Sequence, residues 1–294
     1  MFKKLSVALL AIWICFFSAS YSVAEEGLLW RVSKQGQVAG YLFGTMHSED
    51  ERIIAVLDHI EPKVAETQCL ALELDLSPAV AAKVSKAMFF APGNNLKRHV
   101  APELYETVAD IMLSVYGFAR MQTNTMKPWA LMMTLSIPKP ETGMFLDRLL
   151  YLSAIKNNYR IHGLETPEEQ IAVFDDMAME DQVALLRTTV DSYEQMPEMF
   201  EQMVETYLSQ DLSHMEKLYD EYTKGNDAAL IEKLTERLLN IRNDLMTTRM
   251  HSLFQEQPCF VAVGALHLPG EQGLIRKLKQ QNYDIQPVKL DLKK

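Results

Sequence analysis

Gly40-Tyr41-Leu42-Phe43, then Ile53, Ile54, Val56, Leu57 and Ile60, then Cys69-Leu70-Ala71-Leu72-Glu73-Leu74 set out a strand, a helix and a second strand in that order. That order implies a crossover unit and a partly parallel sheet. Just upstream, Leu28-Leu29-Trp30-Arg31-Val32 reads as a strand joined to the first by a turn at Lys34-Gln35-Gly36-Gln37, so the two form a hairpin. Downstream, Ser77-Pro78 opens helical territory, a helix spans about Phe145 to Asn157, and Arg160-Ile161-His162-Gly163 is a short strand. From there to about Gln255 the pattern is almost all helix. Val183, Leu186, Val190 and Tyr193 repeat at helical spacing, as do Ile231, Leu234, Leu238, Ile241 and Leu245, and both stripes are read as ordinary core packing. The chain then returns to strand at Cys259-Phe260-Val261-Ala262-Val263-Gly264, to a helix with Leu274, Ile275 and Leu278, and to a last strand from Tyr283 to Leu292. The expected fold is α/β: a mixed central sheet built from N- and C-terminal elements, with a large helical middle region.

The 294 residues are 48% hydrophobic and 23% charged, which excludes disorder and low-complexity scaffolds. Lys and Arg number 29 against 39 Asp and Glu, a net charge of −10, so nucleic acid is not an expected partner. Lys3, Lys4, the apolar stretch Leu5–Phe17 and the small-residue site Ser22-Val23-Ala24 have the layout of a secretory signal peptide over residues 1–24. Residues 25–294 would then be the mature α/β domain, periplasmic or secreted. The apolar stretch is shorter than the roughly 18–20 residues of a membrane span, so no span is expected once the signal is cleaved. Cys69 and Cys259 head two probable strands; if those strands are parallel neighbours the sulfurs start level and could form a disulfide.

Phe43-Gly44-Thr45-Met46-His47 and Val263-Gly264-Ala265-Leu266-His267 resemble one another. In each, an apolar strand ends at Gly and a His comes three residues on. Such a His lies just past the carboxyl end of a strand, where open α/β sheets place their ligand crevice. Glu73 interrupts a third apolar strand, and a carboxylate there needs a partner, such as an Arg or a backbone amide. Either His taken alone reads more readily as a satisfied structural residue; the paired G-x-x-H pattern together with Glu73 makes them site candidates. His162 is a second-tier candidate, Glu49 and Asp75 are read as solvated, and Glu165 with Arg242 as a pair that either braces the site or lies on the surface. The 17 Met residues are read as core filling rather than copper ligands.

Taken together, the sequence resembles the TraB/GumN family, which includes the TIKI and pheromone-shutdown proteins. The resemblance is carried by Leu29-Trp30, Tyr41-Leu42-Phe43-Gly44-Thr45-Met46-His47, Leu72-Glu73-Leu74-Asp75, Lys127-Pro128-Trp129, Gly163-Leu164-Glu165-Thr166, Glu169-Gln170, Arg242-Asn243 and Val263-Gly264-Ala265-Leu266-His267-Leu268-Pro269-Gly270. It covers essentially the whole of residues 25–294. It implies an α/β fold shared with erythromycin esterase-like and haem-binding ChaN-like proteins. From the TIKI branch it implies a metal-dependent protease using both G-x-x-H histidines and the glutamate.

Carried over, His47, Glu73 and His267 are the expected catalytic residues and also the expected ligands of a divalent transition metal of the Mn, Co or Zn type. Gly44, Gly264, Glu165 and Arg242 would support them. Two imidazoles and a carboxylate can hold such an ion and leave positions open; the general base stays unassigned, or is Glu73 with two histidine ligands. The expected function is an extracytoplasmic metal-dependent hydrolase acting on a peptide or small-molecule substrate, a peptide bond foremost. The alternatives are a non-catalytic peptide- or haem-sequestering protein and a metal-free esterase-type hydrolase with His as base. Substrate, metal identity and oligomeric state are not readable from the chain.

Overall fold

The computed structural model describes residues 26–223 and 227–292. The signal peptide expected over residues 1–24 lies outside them. The sheet has six strands, β1 (Leu29–Lys34), β2 (Gln37–Thr45), β3 (Cys69–Leu72), β4 (Arg160–Gly163), β5 (Cys259–Gly264) and β6 (Asp284–Val288), in the order β4-β3-β5-β2-β1-β6. β4, β3, β5 and β2 run parallel, while β1 is antiparallel to both β2 and β6. The architecture is therefore α/β with a mixed sheet. The four parallel strands end along one edge, which sets where a ligand can sit.

The β1–β2 hairpin turns on Gln35 and Gly36, both with positive φ (51° and 78°), the combination whose twist matches the flanking strands. β2 can lie close to β5 because Gly40, at φ 150°, has no Cβ; one built there would fall 2.0 Å from the Cys259 carbonyl oxygen. Next to it, Cys69 at the head of β3 and Cys259 at the head of β5 form a disulfide, with Cα atoms 4.7 Å apart. Such bonds persist in oxidising compartments. Among the described residues no helix is long and apolar enough to cross a membrane. The last strand is shorter than the run Tyr283–Leu292 suggests, because β6 pairs only with Leu29–Ser33 of β1. Pro287, which cannot donate to a ladder, is accommodated because β6 is an edge strand.

Apolar side chains collect in two cores. One surrounds the sheet, with Leu42, Phe43, Leu70, Phe260, Val261, Tyr207 and Met250 buried in it. The other is helical and holds Tyr105, Met112, Trp129, Leu131, Phe174, Leu186 and Leu230. The Lys127-Pro128-Trp129 motif serves this second core: Lys127 Nζ and Trp129 Nε1 both donate to Asp175 Oδ1, at 2.6 and 2.9 Å, and Trp129 stacks on Phe174.

The Val183–Tyr193 stripe packs as expected, with Leu186 buried and Val183, Val190 and Tyr193 against it. The Ile231–Leu245 stripe does not hold as one face. Between the helices Ala228–Thr235 and Ile241–Glu256 the chain makes a π turn, Glu236–Asn240. Its extra residue rotates the helix beyond it, so Leu234 and Leu238 pack on the second core while Ile241 is 54% exposed. The same rotation turns Arg242, Asn243, Met246, Thr247 and Met250 inward.

Candidate functional site at the carboxyl edge of the parallel strands

Each parallel strand delivers one polar residue just past its end. In sheet order these are Glu165 after β4, Glu73 after β3, His267 after β5 and His47 after β2. Glu73 comes after β3 rather than interrupting it, which spares the sheet a buried carboxylate. Glycine makes the row close. β2 and β5 pair Gly44 with Val263 and Thr45 with Gly264. A Cβ on Gly44 would meet Leu268 Cδ1 at 2.8 Å and Ala265 at 3.0 Å, so the two G-x-x-H turns pack directly on each other. A Cβ on Gly264 would meet Glu73 Oε1 at 3.2 Å, and without one the Gly264 N–H donates to that oxygen at 2.6 Å.

Arg242 ties the row together. Its Nε and Nη2 bond the two oxygens of Glu165 at 2.8 and 2.6 Å, and Nη2 also reaches Glu73 Oε2 at 2.6 Å. Its position opposite two carboxylates raises its pKa further. Burial pushes the Glu165 pKa up, and the guanidinium only partly offsets it. Burial works the same way on Glu73, but His267, protonated at the low pH where Glu73 titrates, Arg242 and the Gly264 amide outweigh it and bring Glu73 down to about 2. The Glu165–Arg242 pair is thus buried, not superficial, and Glu73 is an anion at neutral pH.

His267 is buried, with Nε2 3.6 Å from Glu73 Oε1. Its Nδ1 is 2.7 Å from Asn243 Oδ1. Asn243 gives its amide N–H to the Gln272 carbonyl, so Oδ1 is left as the acceptor and Nδ1 carries the ring proton. The Nε2 lone pair therefore faces Glu73. Burial lowers the His267 pKa to about 4, against the pull of Glu73, so the ring is neutral at pH 7.

His47 is placed differently. Its side chain is 59% exposed, and its only carboxylate within ion-pair reach, among the described residues, is Asp147, whose Oδ2 lies 3.3 Å from Nδ1. The ring also lies against Phe145, with centroids 4.1 Å apart and the planes tilted by 30°. The structure brings Glu73 and His267 together and leaves His47 linked to neither by a hydrogen bond or ion pair. Sequence reasoning misses Asp147. It stands in the first turn of the helix Leu146–Lys156, where an acid reads as an ordinary complement to the helix dipole. Asn243 is missed as a histidine partner too, although it stands next to Arg242 in the chain.

Glu49, expected in solvent, accepts the backbone N–H groups of Glu141, Thr142 and Gly143, which lower its pKa and fasten the loop leading to Phe145. His162 lies on β4 beside Ala71, its Nε2 buried without a hydrogen-bond partner, and it does not join the row. Two cavities flank the row. One of about 380 Å³ is lined by Glu165, Arg242, Ile241 and Leu245 among others, and one of about 260 Å³ by Asn243, Leu266 and the Pro269–Gly273 turn.

The donor chemistry suits a divalent transition ion: two imidazoles, one with its Nε2 lone pair fixed toward the row, an anionic carboxylate, and a buried Asp147 Oδ2 with no hydrogen-bond partner. Among the described residues, however, no three His, Cys, Asp or Glu side chains converge closely enough to hold a metal. The donors stand as two pairs, Glu73 with His267 and His47 with Asp147.

No solved structure matches the chain. A curated protein of Amphimedon queenslandica named "Metalloprotease TIKI homolog" is 23% identical over 92% of this chain. The chain spans 63% of that relative's length. A family model described as TraB/PrgY/gumN matches residues 28–287, nearly everything from β1 to β6, and the chain belongs to that family.

Proposed function

We propose that this protein is an extracytoplasmic metal-dependent hydrolase acting on a peptide bond. The observation that carries the reading is the row itself: three adjacent parallel strands end in Glu73, His267 and His47, with Glu73 held through both oxygens by Arg242 and Gly264 and His267 held through Nδ1 by Asn243. The metalloprotease named among its relatives supports it. For His47, Glu73 and His267 to hold the ion together, His47 would have to approach the Glu73–His267 pair, which it does not contact here. A divalent metal, when bound, polarises a carbonyl and acidifies water.

The chain's own residues supply the rest. Asn243 keeps the His267 Nε2 free of a proton, and the low pKa of that ring keeps it neutral across the working range. Arg242 holds Glu73 in place and in its charged form. A carboxylate with a pKa of about 2 is a weak base near neutrality, so Glu73 suits a ligand or an electrostatic role better than proton abstraction. His47, exposed and lying against Phe145, is the member of the row that a substrate can reach from solvent. The peptide- or haem-binding alternative gains from one observation, that the donors stand as two pairs with no three-way cluster among the described residues.

The test is elemental analysis of protein starting at Glu25, beside peptide cleavage followed by mass spectrometry with Mn²⁺, Co²⁺ or Zn²⁺. The expected result is about one transition metal per chain, lost together with cleavage in His47→Ala and His267→Ala. Metal-free wild type that cleaves nothing under any of the three ions refutes the hydrolase; ligand binding that survives Glu73→Gln then favours sequestration.

A further inference from the structure

Each G-x-x-H histidine has its Nδ1 near an oxygen from a helix outside the sheet, hydrogen-bonded at 2.7 Å for His267 and at an ion-pair distance of 3.3 Å for His47. For His267 the oxygen belongs to a neutral amide, Asn243. For His47 it belongs to a carboxylate, Asp147. A buried carboxylate is an expensive choice if its task were only to fasten the Leu146–Lys156 helix. Nor does it cap that helix: the N-cap position, Phe145, has no side-chain hydrogen bond, and Asp147 Oδ1 reaches across to β2, where Thr45 Oγ1 donates to it at 2.8 Å. Oδ2 is left buried, without a hydrogen-bond partner, 3.3 Å from His47 Nδ1. The surroundings hold this carboxylate in place. Thr45 is the residue paired with Gly264, Gly44 beside it is fixed through its carbonyl by the buried Tyr207 hydroxyl at 2.8 Å, and Phe145 lies against the ring from the same segment as Asp147.

We propose that Asp147 is a positioning residue for His47: it accepts the Nδ1 proton, fixes the tautomer, and leaves the Nε2 lone pair facing outward for an electrophile. This rests on the hydrolase reading only for the identity of that electrophile, a divalent transition metal. A carboxylate behind an imidazole also strengthens the ring as a donor, which the amide behind His267 does less. The two histidines are thus unequal. His267 is buried and backed by an amide; His47 is exposed and backed by a carboxylate.

The isosteric variant Asp147→Asn tests this in the amide orientation that keeps the wild-type Thr45 hydrogen bond, with the hydroxyl donating. With the Thr45 hydroxyl donating to the Asn oxygen, the amide N–H₂ faces His47 Nδ1, which must then accept, so the ring proton moves to Nε2. Metal-free protein carrying ¹⁵N-labelled histidine, measured by long-range ¹H–¹⁵N correlation with His47 assigned through His47→Gln, reads the tautomer directly. The expected result is Nδ1–H in wild type, Nε2–H in Asp147→Asn, and His267 unchanged in both. Titration of Co²⁺ into the same samples should show binding weakened about 10–100-fold in the variant.

Wild-type His47 in the Nε2–H form overturns the proposal. If the tautomer switches while neither protein binds Co²⁺, the role of Asp147 stands and the metal-dependent hydrolase falls. Should Asp147→Asn fail to fold, the wild-type tautomer decides alone. A merely structural Asp147 would alter stability without moving the ring proton.

Discussion

Arg242→Gln removes the positive charge that Glu165 and Glu73 share. The penalty can be bounded from the surroundings of each carboxylate. The Glu165 side chain is 0% exposed and loses two charge-assisted hydrogen bonds, at 2.8 and 2.6 Å. Left ionised it would cost several kcal/mol, but it has an escape: it takes up a proton. From the ordinary value of 4.5, holding that proton at pH 7 costs about 3 kcal/mol, at about 1.4 kcal/mol per pH unit, and at pH 5 under about 1 kcal/mol. Glu73 is 22% exposed and keeps its Gly264 N–H, so its unpaired charge adds only about 1 kcal/mol after rehydration.

The sign is set by linkage. In the variant the folded pKa of Glu165 lies above its unfolded value, so folding binds a proton and the penalty grows as pH rises past 4.5. Urea unfolding of the disulfide-intact protein should therefore show a loss of about 4 kcal/mol at pH 7 and about 2 kcal/mol at pH 5. Adding Glu165→Gln should restore about 3 kcal/mol at pH 7 and little at pH 5. An equal loss at both pH values, or one below about 1 kcal/mol at pH 7, would show that Glu165 is not held as a charged partner of Arg242.

Gly264→Ala should lower the melting temperature by less than about 4 °C yet weaken Co²⁺ binding by about tenfold or more, since its Cβ lies 3.2 Å from Glu73 Oε1 and displaces the carboxylate; unchanged binding would count against Glu73 as a ligand. An NMR titration of His267 should give a midpoint of about 4, with stability falling as pH drops from 6.5 toward that value because only the unfolded ring takes up a proton over this range; a midpoint near 6.5 contradicts its burial beside Arg242. Alkylation without reductant should leave Cys69 and Cys259 unmodified, and reduction should cost about 2–5 kcal/mol for so long a closed loop; two modified thiols in the untreated protein rule the bond out.

Strand positions are legible in the sequence because apolar runs such as Leu70–Leu72 and Phe260–Val263 stay unbroken when both faces of a sheet are covered. The crevice edge is legible too, since Gly44 and Gly264 mark where β2 and β5 stop. The partners of the histidines are not. Asp147 reaches His47 from a helix far along the chain, and Asn243 reaches His267 from the helix that precedes β5. Nothing local distinguishes either one from a dipole complement or a solvated polar residue. Glu49 reads as solvated for a different reason: its partners are the backbone N–H groups of Glu141–Gly143, which no side-chain pattern reveals. Ile241 reads as core only when a strict helical period is carried through a segment that breaks it.

That break bears on how the chain can change over generations. Removing one residue from Glu236–Asn240 would restore a regular helix, and at 3.6 residues per turn everything beyond would swing by about 100°. Arg242 would leave its two acids and Asn243 its imidazole in a single step. Surface loops commonly absorb gains and losses of length; here a five-residue stretch inside a continuous helical run must conserve its residue count for this edge to assemble, whatever side chains occupy it.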